Sequence, residues 1–162
     1  MFSIARVAKG SPQRHKEHKE RNSFPHFSPF RSMTREPIPE RVNFLSNRVI
    51  DCAIRVHKEL GPGLIESVYE TCLFYELRKA KFDAERQIKL PITYDVLKLD
   101  AELRLDIWVE KLLIVETKSV DAIHPVHQAQ LMTYLKLTGN RLGLLINFNV
   151  PLLKNGIKRV VL

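Results

Sequence analysis

The sequence predicts an α/β domain whose elements follow the order helix, helix, strand, strand, strand, helix, strand, strand. Three observations predict it. An apolar period of three and four residues runs through residues 42–60 and indicates an amphipathic helix. Two adjoining runs, residues 103–110 and 112–120, are rich in strand-forming residues. A continuous apolar run at residues 142–148 is typical of a strand that is buried on both faces.

The first two helices are defined by their apolar spacing and by the break between them. The predicted core positions of the first are Val42, Leu45, Val49, Cys52, Ala53, Val56 and Leu60. Gly61-Pro62-Gly63 ends this helix, because glycine is favoured just past a helix end and proline cannot continue it. The second helix is predicted over residues 64–80. Its predicted core face consists of Leu64, Val68, Cys72 (or Leu73) and Leu77.

Three strands are predicted after the second helix. Pro91 lies inside the first of them, residues 86–94, and therefore marks an edge strand or a bulge. The other two, residues 103–110 and 112–120, form a hairpin that reverses at Glu110-Lys111.

The last part of the chain supplies one helix and two strands. Pro125 lies in the first turn of the predicted helix 125–138, and Gly139 follows its end. The apolar strand 142–148 comes next. Lys154-Asn155-Gly156 is a turn signal before a final strand at residues 157–162.

Residues 1–36 differ from the rest of the chain in composition. They are rich in Lys, Arg, His, Ser and Pro, show no sustained apolar period, and carry +5 of the net charge of +8. We therefore expect a disordered basic tail over residues 1–36 and a single domain over residues 37–162. Met33 lies close to the beginning of the patterned sequence, so a start at Met33 is an alternative to a start at Met1. The high pI is mostly a property of the tail and only weakly supports a nucleic-acid partner.

Composition also excludes several classes of protein. No apolar run approaches the ~20 residues that cross a bilayer, so we expect no membrane association. The N-terminus lacks the apolar segment of a signal peptide. Cys52 and Cys72 provide neither a disulfide framework nor a CxxC zinc pair, which predicts a reducing, cytoplasmic compartment.

Charged residues interrupt the predicted hairpin at Asp106, Glu116 and Lys118. Glu116 and Lys118 are two residues apart, so on a strand both side chains leave the same face. Mg²⁺ prefers oxygen ligands and keeps several waters, so two carboxylates and a substrate phosphate suffice to hold it. Lys118 could then hold or deprotonate the attacking water. This pattern points to phosphodiester hydrolysis. The alternative is an ordinary ion pair between Glu116 and Lys118 on an exposed strand.

Other polar residues carry weaker signals. Glu66 lies in G-L-I-E-S-V-Y one turn before Glu70, and an acid in a first helical turn is also favoured by the helix dipole alone. Gln130 and Tyr134 are four apart on the third helix and share a face, as an ordinary surface pair would. Three of the six histidines, His57, His124 and His127, lack the spacing of a zinc site and are expected to be structural or loop residues.

Taken in order, these motifs resemble a known group of enzymes. The pattern D-X(9)-E-X-K on a hairpin, followed by a helix with Q-X-X-X-Y, resembles the PD-(D/E)XK nuclease superfamily, particularly its RecB-like branch. The stretch G-L-I-E-S-V-Y at residues 63–69 is similar to the motif of the GxxExxY protein family, which is assigned to that superfamily. The segments L-D-I-W-V, H-Q-A-Q-L-M-T-Y-L-K-L and G-L-L-I-N-F-N-V-P also resemble that family, and the similarity extends over residues 43–162.

The resemblance implies a restriction-endonuclease-like core, with a central mixed sheet flanked by helices and an acidic site at one edge. It implies metal ligands at Asp106 and Glu116 and a helix acid at Glu66 that joins them, with Mg²⁺ or Mn²⁺ as the cofactor. Lys118 would be the catalytic lysine. Gln130 and Tyr134 would order the site and contact the nucleic acid.

Two positions depart from the usual pattern. Leu105 stands where proline commonly precedes the first acid, and Thr117 stands between Glu116 and Lys118 where an apolar residue is more usual. We expect the Thr117 side chain to face away from the site.

The predicted function is therefore Mg²⁺-dependent hydrolysis of DNA. One alternative is a non-catalytic module that binds nucleic acid or protein and retains the fold, and a homodimer or a protein partner stays open. A structural subunit is the other alternative. It is suggested by Trp108, which we expect to be exposed on the strand face opposite Leu105, Ile107 and Val109.

Overall fold

A computed structural model describes residues 36–162, and its elements follow the predicted order. The helices are α1 (Glu40–Leu60), α2 (Glu66–Lys79) and α3 (Pro125–Thr138). The strands are β1 (Ala84–Tyr94), β2 (Leu97–Val109), β3 (Leu113–Lys118), β4 (Leu142–Asn147) and β5 (Ile157–Val161), and a short 3-10 turn, Leu153–Gly156, precedes β5.

The strands form one mixed sheet in the order β1-β2-β3-β4-β5. Only β3 and β4 are parallel, and every other neighbouring pair is antiparallel. The predicted hairpin between β2 and β3 is confirmed. Glu110 and Lys111 both have positive φ values, 51° and 54°, which is the geometry of a two-residue reversal that matches the twist of the strands. The predicted edge strand is confirmed as well, because β1 lies at the edge and its register shifts between Pro91 and Thr93.

Helices cover both faces of the sheet, as expected. Residues of α1 and α2 form one buried cluster with Ile107, Val115 and Leu144. Residues of α3 form a second cluster with Ile114 and Leu145 on the other face. Every residue of β3 and β4 is buried, so these two strands lie at the centre of the domain. The strand that carries Glu116 and Lys118 is therefore central and buried.

The predicted core face of α2 is correct at Leu73 and Leu77 and wrong at Leu64 and Val68. Leu64 lies before the helix and is 40% exposed, whereas Tyr69, Leu73 and Leu77 are fully buried. The cause is a contact with a residue distant in the sequence. The Tyr69 ring stacks on Phe148, just after β4, with ring centroids 4.6 Å apart, and this fixes which side of α2 faces the sheet.

The prediction of an exposed Trp108 is also wrong. Trp108 is half-buried against the α3 side of the sheet, and its indole Nε1 donates a hydrogen bond to Asn140 Oδ1 at 2.7 Å. Leu105 packs on this same side, whereas Ile107 and Val109 pack against α1 and α2. The β1–β2 register passes from Arg86–Ile107 to Ile88–Leu105, and Gln87 between them has a φ of 56°. Because the ladder is distorted there, Leu105 and Ile107 face opposite sides although they are two residues apart.

None of the helices between residues 36 and 162 combines the length and the apolar content that a membrane-spanning segment needs. The predicted disorder of residues 1–36 falls outside the described residues, except for Glu36. The backbone carbonyl of Glu36 accepts a hydrogen bond from the guanidinium of Arg141 at 2.6 Å.

We propose that the tail contributes little to folding. Ordering a residue costs ~1–2 kcal/mol, and the tail has too few apolar side chains to offset this. A chain that starts at Met33 keeps the Glu36–Arg141 contact, so we expect it to melt within a few degrees of the full-length chain. Loss of cooperative unfolding in that shortened chain, followed by circular dichroism, would show that the tail is part of the domain.

Candidate active site

The site is built where β2 and β3 separate. Their pairing extends from Val109–Leu113 to Ile107–Val115, and the next positions along the two strands are Asp106 and Glu116. There the Asp106 carboxylate takes the place of a ladder bond. Its Oδ2 accepts hydrogen bonds from the backbone N–H of Thr117 at 2.8 Å and from the Thr117 hydroxyl at 2.9 Å. The separated strands therefore hold a buried carboxylate between them.

The expectation that the Thr117 side chain faces away from the site is wrong. Thr117 does lie on the opposite side of β3 from its two charged neighbours, but its hydroxyl reaches Asp106 in the gap between the strands. An apolar residue at this position could not donate that bond. The only sequence signal was a hydroxyl residue, Thr117, where an apolar residue is more usual. That signal becomes informative only when the separation of β2 and β3 is known.

Glu116 and Lys118 form a buried pair on β3. Lys118 Nζ donates to Glu116 Oε1 at 2.7 Å and to the Thr117 carbonyl at 2.9 Å. The side chain of Glu116 is 2% exposed and that of Lys118 is 10% exposed. The alternative of an ion pair on an exposed strand is therefore wrong. Buried charges are costly unless they are paired and hydrogen-bonded, and this pair meets both conditions.

Glu66 joins the pair from the first residue of α2. Its Oε1 lies 3.5 Å from Lys118 Nζ, and its side chain is 43% exposed. Tyr69 fixes the turn that precedes Glu66. The Tyr69 hydroxyl donates to the Gly61 carbonyl at 2.7 Å and accepts from the backbone N–H of Leu64 at 3.0 Å. The turn is also fastened to the end of β3, because Ser119 Oγ donates to the Leu64 carbonyl at 2.5 Å.

The site has more acidic than basic groups, because the Lys118 ammonium group lies beside three carboxylates, those of Glu66, Asp106 and Glu116. Burial raises the pKa of Glu116 to about 7; the charge of Asp106 adds to this rise, and Lys118 opposes it. Burial alone would lower the pKa of Lys118, but the attraction of Glu116, with Asp106 and Glu66, outweighs burial and raises it. Lys118 is therefore charged, and negative charge remains uncompensated beside it.

This excess of carboxylate fits a divalent cation. Glu116 Oε2 is buried and has no hydrogen-bond partner among the described residues, which leaves one oxygen available as a ligand. Within residues 36–162, however, no three His, Cys, Asp or Glu side chains already stand together as a metal site. Asp106 is turned toward Thr117, and Glu116 toward Lys118. These bonds engage Asp106 Oδ2 and Glu116 Oε1, so the second oxygen of each carboxylate is not used by them.

The predicted pair on α3, Gln130 and Tyr134, lies near the acidic residues Asp106 and Glu116. Gln130 Nε2 donates to the Tyr134 hydroxyl at 2.6 Å, and Tyr134 is buried. Burial raises the pKa of the Tyr134 hydroxyl, the hydrogen bond from Gln130 opposes the rise, and the charges of Glu116 and Asp106 add to it. Tyr134 is therefore enclosed, whereas Gln130 is half-buried and partly reached by solvent.

A cleft of about 530 Å³ opens beside Asp106, and we call it the α2 cleft. It is lined by Ile65, Glu66, Ser67, Glu70, Thr71, Arg86, Gln87, Arg104 and Asp106. The resemblance implies that Asp106, Glu116 and Glu66 join as metal ligands beside Lys118. The structure places Asp106 and Glu66 in the wall of the cleft, while Glu116 and Lys118 lie buried and reach Glu66 through the ammonium group.

Glu70 is a member of this cleft that the sequence did not single out. It is 7% exposed, and its Oε2 accepts a hydrogen bond from Gln87 Nε2 at 2.6 Å. Burial raises the pKa of Glu70, Gln87 opposes the rise, and Asp106 adds to it. The sequence signal was the four-residue spacing from Glu66, which places both acids on one side of α2.

His57, His124 and His127 hold neighbouring segments together. His57 Nε2 lies 2.8 Å from the Val150 carbonyl and ties α1 to the segment after β4. His124 and His127 form a capping box at the start of α3, where the backbone N–H of His124 donates to His127 Nδ1 at 3.2 Å.

Comparison with known proteins gives one result. The model of the PD-(D/E)XK nuclease superfamily matches residues 43–160, which include every residue of the candidate site. No curated protein and no solved structure matched the chain.

Proposed function

We propose that this chain, which belongs to the PD-(D/E)XK nuclease superfamily, is a Mg²⁺-dependent nuclease that hydrolyses phosphodiester bonds in DNA. One observation carries the proposal. A buried lysine is bound to Glu116 and lies beside Glu66, at the point where β2 and β3 separate around Asp106. An ordinary structural domain does not need two carboxylates buried where central strands separate, with a third on α2 beside the same ammonium group.

Each residue has a proposed role that follows from its position. Asp106, Glu116 and Glu66 would hold the cation, which supplies a water of lowered pKa and offsets the charge of the phosphate. Lys118 holds the attacking water and offsets charge that develops on the phosphate oxygens. Thr117 keeps the Asp106 carboxylate in place through two hydrogen bonds. Gln130 and Tyr134 order the site from α3.

We further infer that the chain belongs to the RecB-like branch and to the GxxExxY group. The contacts of Tyr69 support this, because its hydroxyl binds Gly61 and Leu64, on either side of the motif glycine Gly63, whose φ is 99°. The tyrosine holds the glycine turn, and the turn places Glu66 at the start of α2. A reducing, cytoplasmic compartment is proposed because Cys52 and Cys72 are both free thiols.

Cleavage of labelled single- and double-stranded DNA and RNA tests the proposed function. The wild-type chain should cut DNA, and Lys118→Ala should cut it about 10²–10³-fold more slowly. RNA cleavage without DNA cleavage would correct the substrate class. Binding of nucleic acid with no cleavage by the wild type would favour the alternative of a non-catalytic binding module. Light scattering on the same samples would show whether a homodimer forms.

Activity should also depend on the metal. We expect cleavage with Mg²⁺ or Mn²⁺ and none in excess chelator. Ca²⁺ should support binding better than cleavage, because its looser coordination positions the attacking water poorly. A titration of each ion against cleavage rate and against oligonucleotide affinity separates the two effects. Undiminished cleavage in chelator would exclude the site around Asp106 and Glu116 as its source.

A further inference from the structure

Two arginines line the α2 cleft beside Asp106. Arg86 comes from β1 and Arg104 from β2, two residues before Asp106. Elsewhere in the described chain, five arginines lie within 4 Å of a carboxylate: Arg41, Arg48, Arg55, Arg78 and Arg141. Among the side chains that the structure describes, which leave out residues 93, 94 and 98–101, neither Arg86 nor Arg104 has a carboxylate at that distance. These two exposed guanidinium groups therefore have hydrogen-bonding capacity left for a ligand.

Arg86 is held in position by its neighbours. Its guanidinium donates to Thr71 Oγ1 at 3.0 Å, and the Thr71 hydroxyl in turn donates to the Ser67 carbonyl at 2.8 Å. The Phe74 ring lies against the guanidinium, with its centroid 5.3 Å from Arg86 Cζ. These contacts reduce the freedom that Arg86 would lose on binding, which favours binding of a ligand at this position.

Arg104 is placed by the strand that carries the proposed metal ligand. It lies on β2 where that strand pairs with β1, opposite Lys89. Arg86 and Arg104 both lie near enough to Glu70 to favour its charged form. The two guanidinium groups thus share one region of the cleft, and a planar guanidinium group matches the oxygens of a phosphate.

We propose that Arg86 and Arg104 together bind a phosphate of the substrate strand, next to the phosphate that is cleaved. The proposal rests on the proposed nuclease function and adds the surface that positions the strand. Contacts to phosphates fix the register of a nucleic acid without reading its sequence. Carboxylates of Glu66, Glu70 and Asp106 line the same cleft, so binding should strengthen when a divalent cation offsets their charge.

The test is a binding experiment that does not require cleavage. Full-length Lys118→Ala protein is titrated with a labelled oligonucleotide in Ca²⁺ over a range of salt concentrations. Adding Arg86→Gln or Arg104→Gln should each weaken binding on the order of tenfold, as expected for a lost hydrogen bond to a charged group. With both changes, the slope of log K against log salt should fall in magnitude by about 0.7–0.9, the value for one phosphate contact. The charge-matched control is Arg48→Gln, whose side chain pairs with Asp51 on α1.

A second arm identifies which phosphate is bound. One oligonucleotide carries a neutral methylphosphonate next to the cleavage position, and another lacks its terminal phosphate. The modification that removes the bound phosphate should weaken binding by the protein with both arginines on the order of tenfold. The same modification should not weaken oligonucleotide binding by the double variant any further. An internal position and a strand end are thereby distinguished.

The possible outcomes distinguish failure of the phosphate-binding proposal from failure of the nuclease proposal. An unchanged salt slope in the double variant, with cleavage by the wild type intact, overturns the role of the cleft and leaves the nuclease proposal standing. An equal loss of binding in Arg48→Gln also overturns it, because the effect would then be general charge. A wild-type chain that neither binds nor cleaves nucleic acid overturns both. Repeating the titration with the Arg86→Gln and Arg104→Gln changes in otherwise wild-type protein, in Ca²⁺, controls for any folding defect caused by Lys118→Ala.

Discussion

Replacing Lys118 with alanine should lower the cleavage rate by about 10²–10³-fold, because removing one preorganised group that stabilises developing charge costs that much. Lys118 Nζ is held by Glu116 at 2.7 Å and by the Thr117 carbonyl at 2.9 Å, so its position is fixed before substrate arrives. The reorganisation that a mobile lysine would need is avoided. Single-turnover rates at saturating Mg²⁺ measure the loss in the chemical step.

The fold should survive this change. Removing one partner of a buried ion pair is usually destabilising, because the other charge is left unpaired. Glu116 avoids this cost because burial already raises its pKa to about 7, so it can take up a proton when Lys118 is absent. A thermal melt and a circular dichroism spectrum check the point. Lys136→Ala, at an exposed position on α3, is the matched control and should retain full activity.

Lys118→Arg distinguishes two roles of the lysine. Arginine keeps the positive charge but cannot lose a proton in a protein. If Lys118 acts by its charge, the arginine variant should recover part of the rate. If it accepts the proton of the attacking water, the variant should be as slow as Lys118→Ala. Cleavage that persists undiminished in Lys118→Ala would show that another site is responsible.

Much of the fold could be predicted because its signals are local. Glu110-Lys111 makes the reversal that the pattern predicts, and α3 has the predicted bounds because Pro125 and Gly139 mark its ends. The apolar run that became β4 is buried along its whole length. Strand parity also placed Glu116 and Lys118 together. Each of these predictions depends on residues within a few positions of one another.

The errors have a different physical origin. The buried face of α2 depends on Tyr69 stacking on Phe148, a contact between distant parts of the chain. The hydroxyl of Thr117 reaches Asp106 because β2 and β3 separate there, and Gln87 distorts the ladder on the other side of β2. A non-glycine residue with positive φ inside a strand is uncommon and cannot be read from its identity. The rule that alternate residues of a strand face the same side fails at such a point.

Replacing Glu116 with glutamine should abolish most cleavage and, in the metal-free protein at pH 8, raise the stability of the fold. The activity is lost because a cation ligand is removed. The stability rises because the environment of Glu116 disfavours its charge: burial and the nearby charge of Asp106 raise its pKa from 4.5 to about 7 in spite of Lys118. Glutamine has similar size and removes that charge.

The pH dependence of stability follows from the direction of this shift. Between pH ~4.5 and ~7 the folded state keeps a proton on Glu116 that the unfolded state has released. The contribution of Glu116 to stability is therefore most favourable below the unfolded pKa and is lost as pH rises through the folded pKa. The shift corresponds to about 3 kcal/mol at most. Chelator-treated wild type should lose stability across this window more steeply than Glu116→Gln, as measured by urea unfolding at several pH values.

Mg²⁺ should reverse the order of stability, so that the wild type becomes more stable than Glu116→Gln. A cation that binds only the folded state stabilises it by mass action, so Mg²⁺ should raise the melting temperature of the wild type. Glu116→Gln should respond much less, because it lacks the ligand. The control, Glu59→Gln at an exposed position on α1, should behave as wild type at every pH and with Mg²⁺. A metal-free Glu116→Gln protein that is less stable than wild type at pH 8 would mean that the pair with Lys118 outweighs burial. The carboxylate would then be a structural partner of the lysine, and its place in a metal site would need other support.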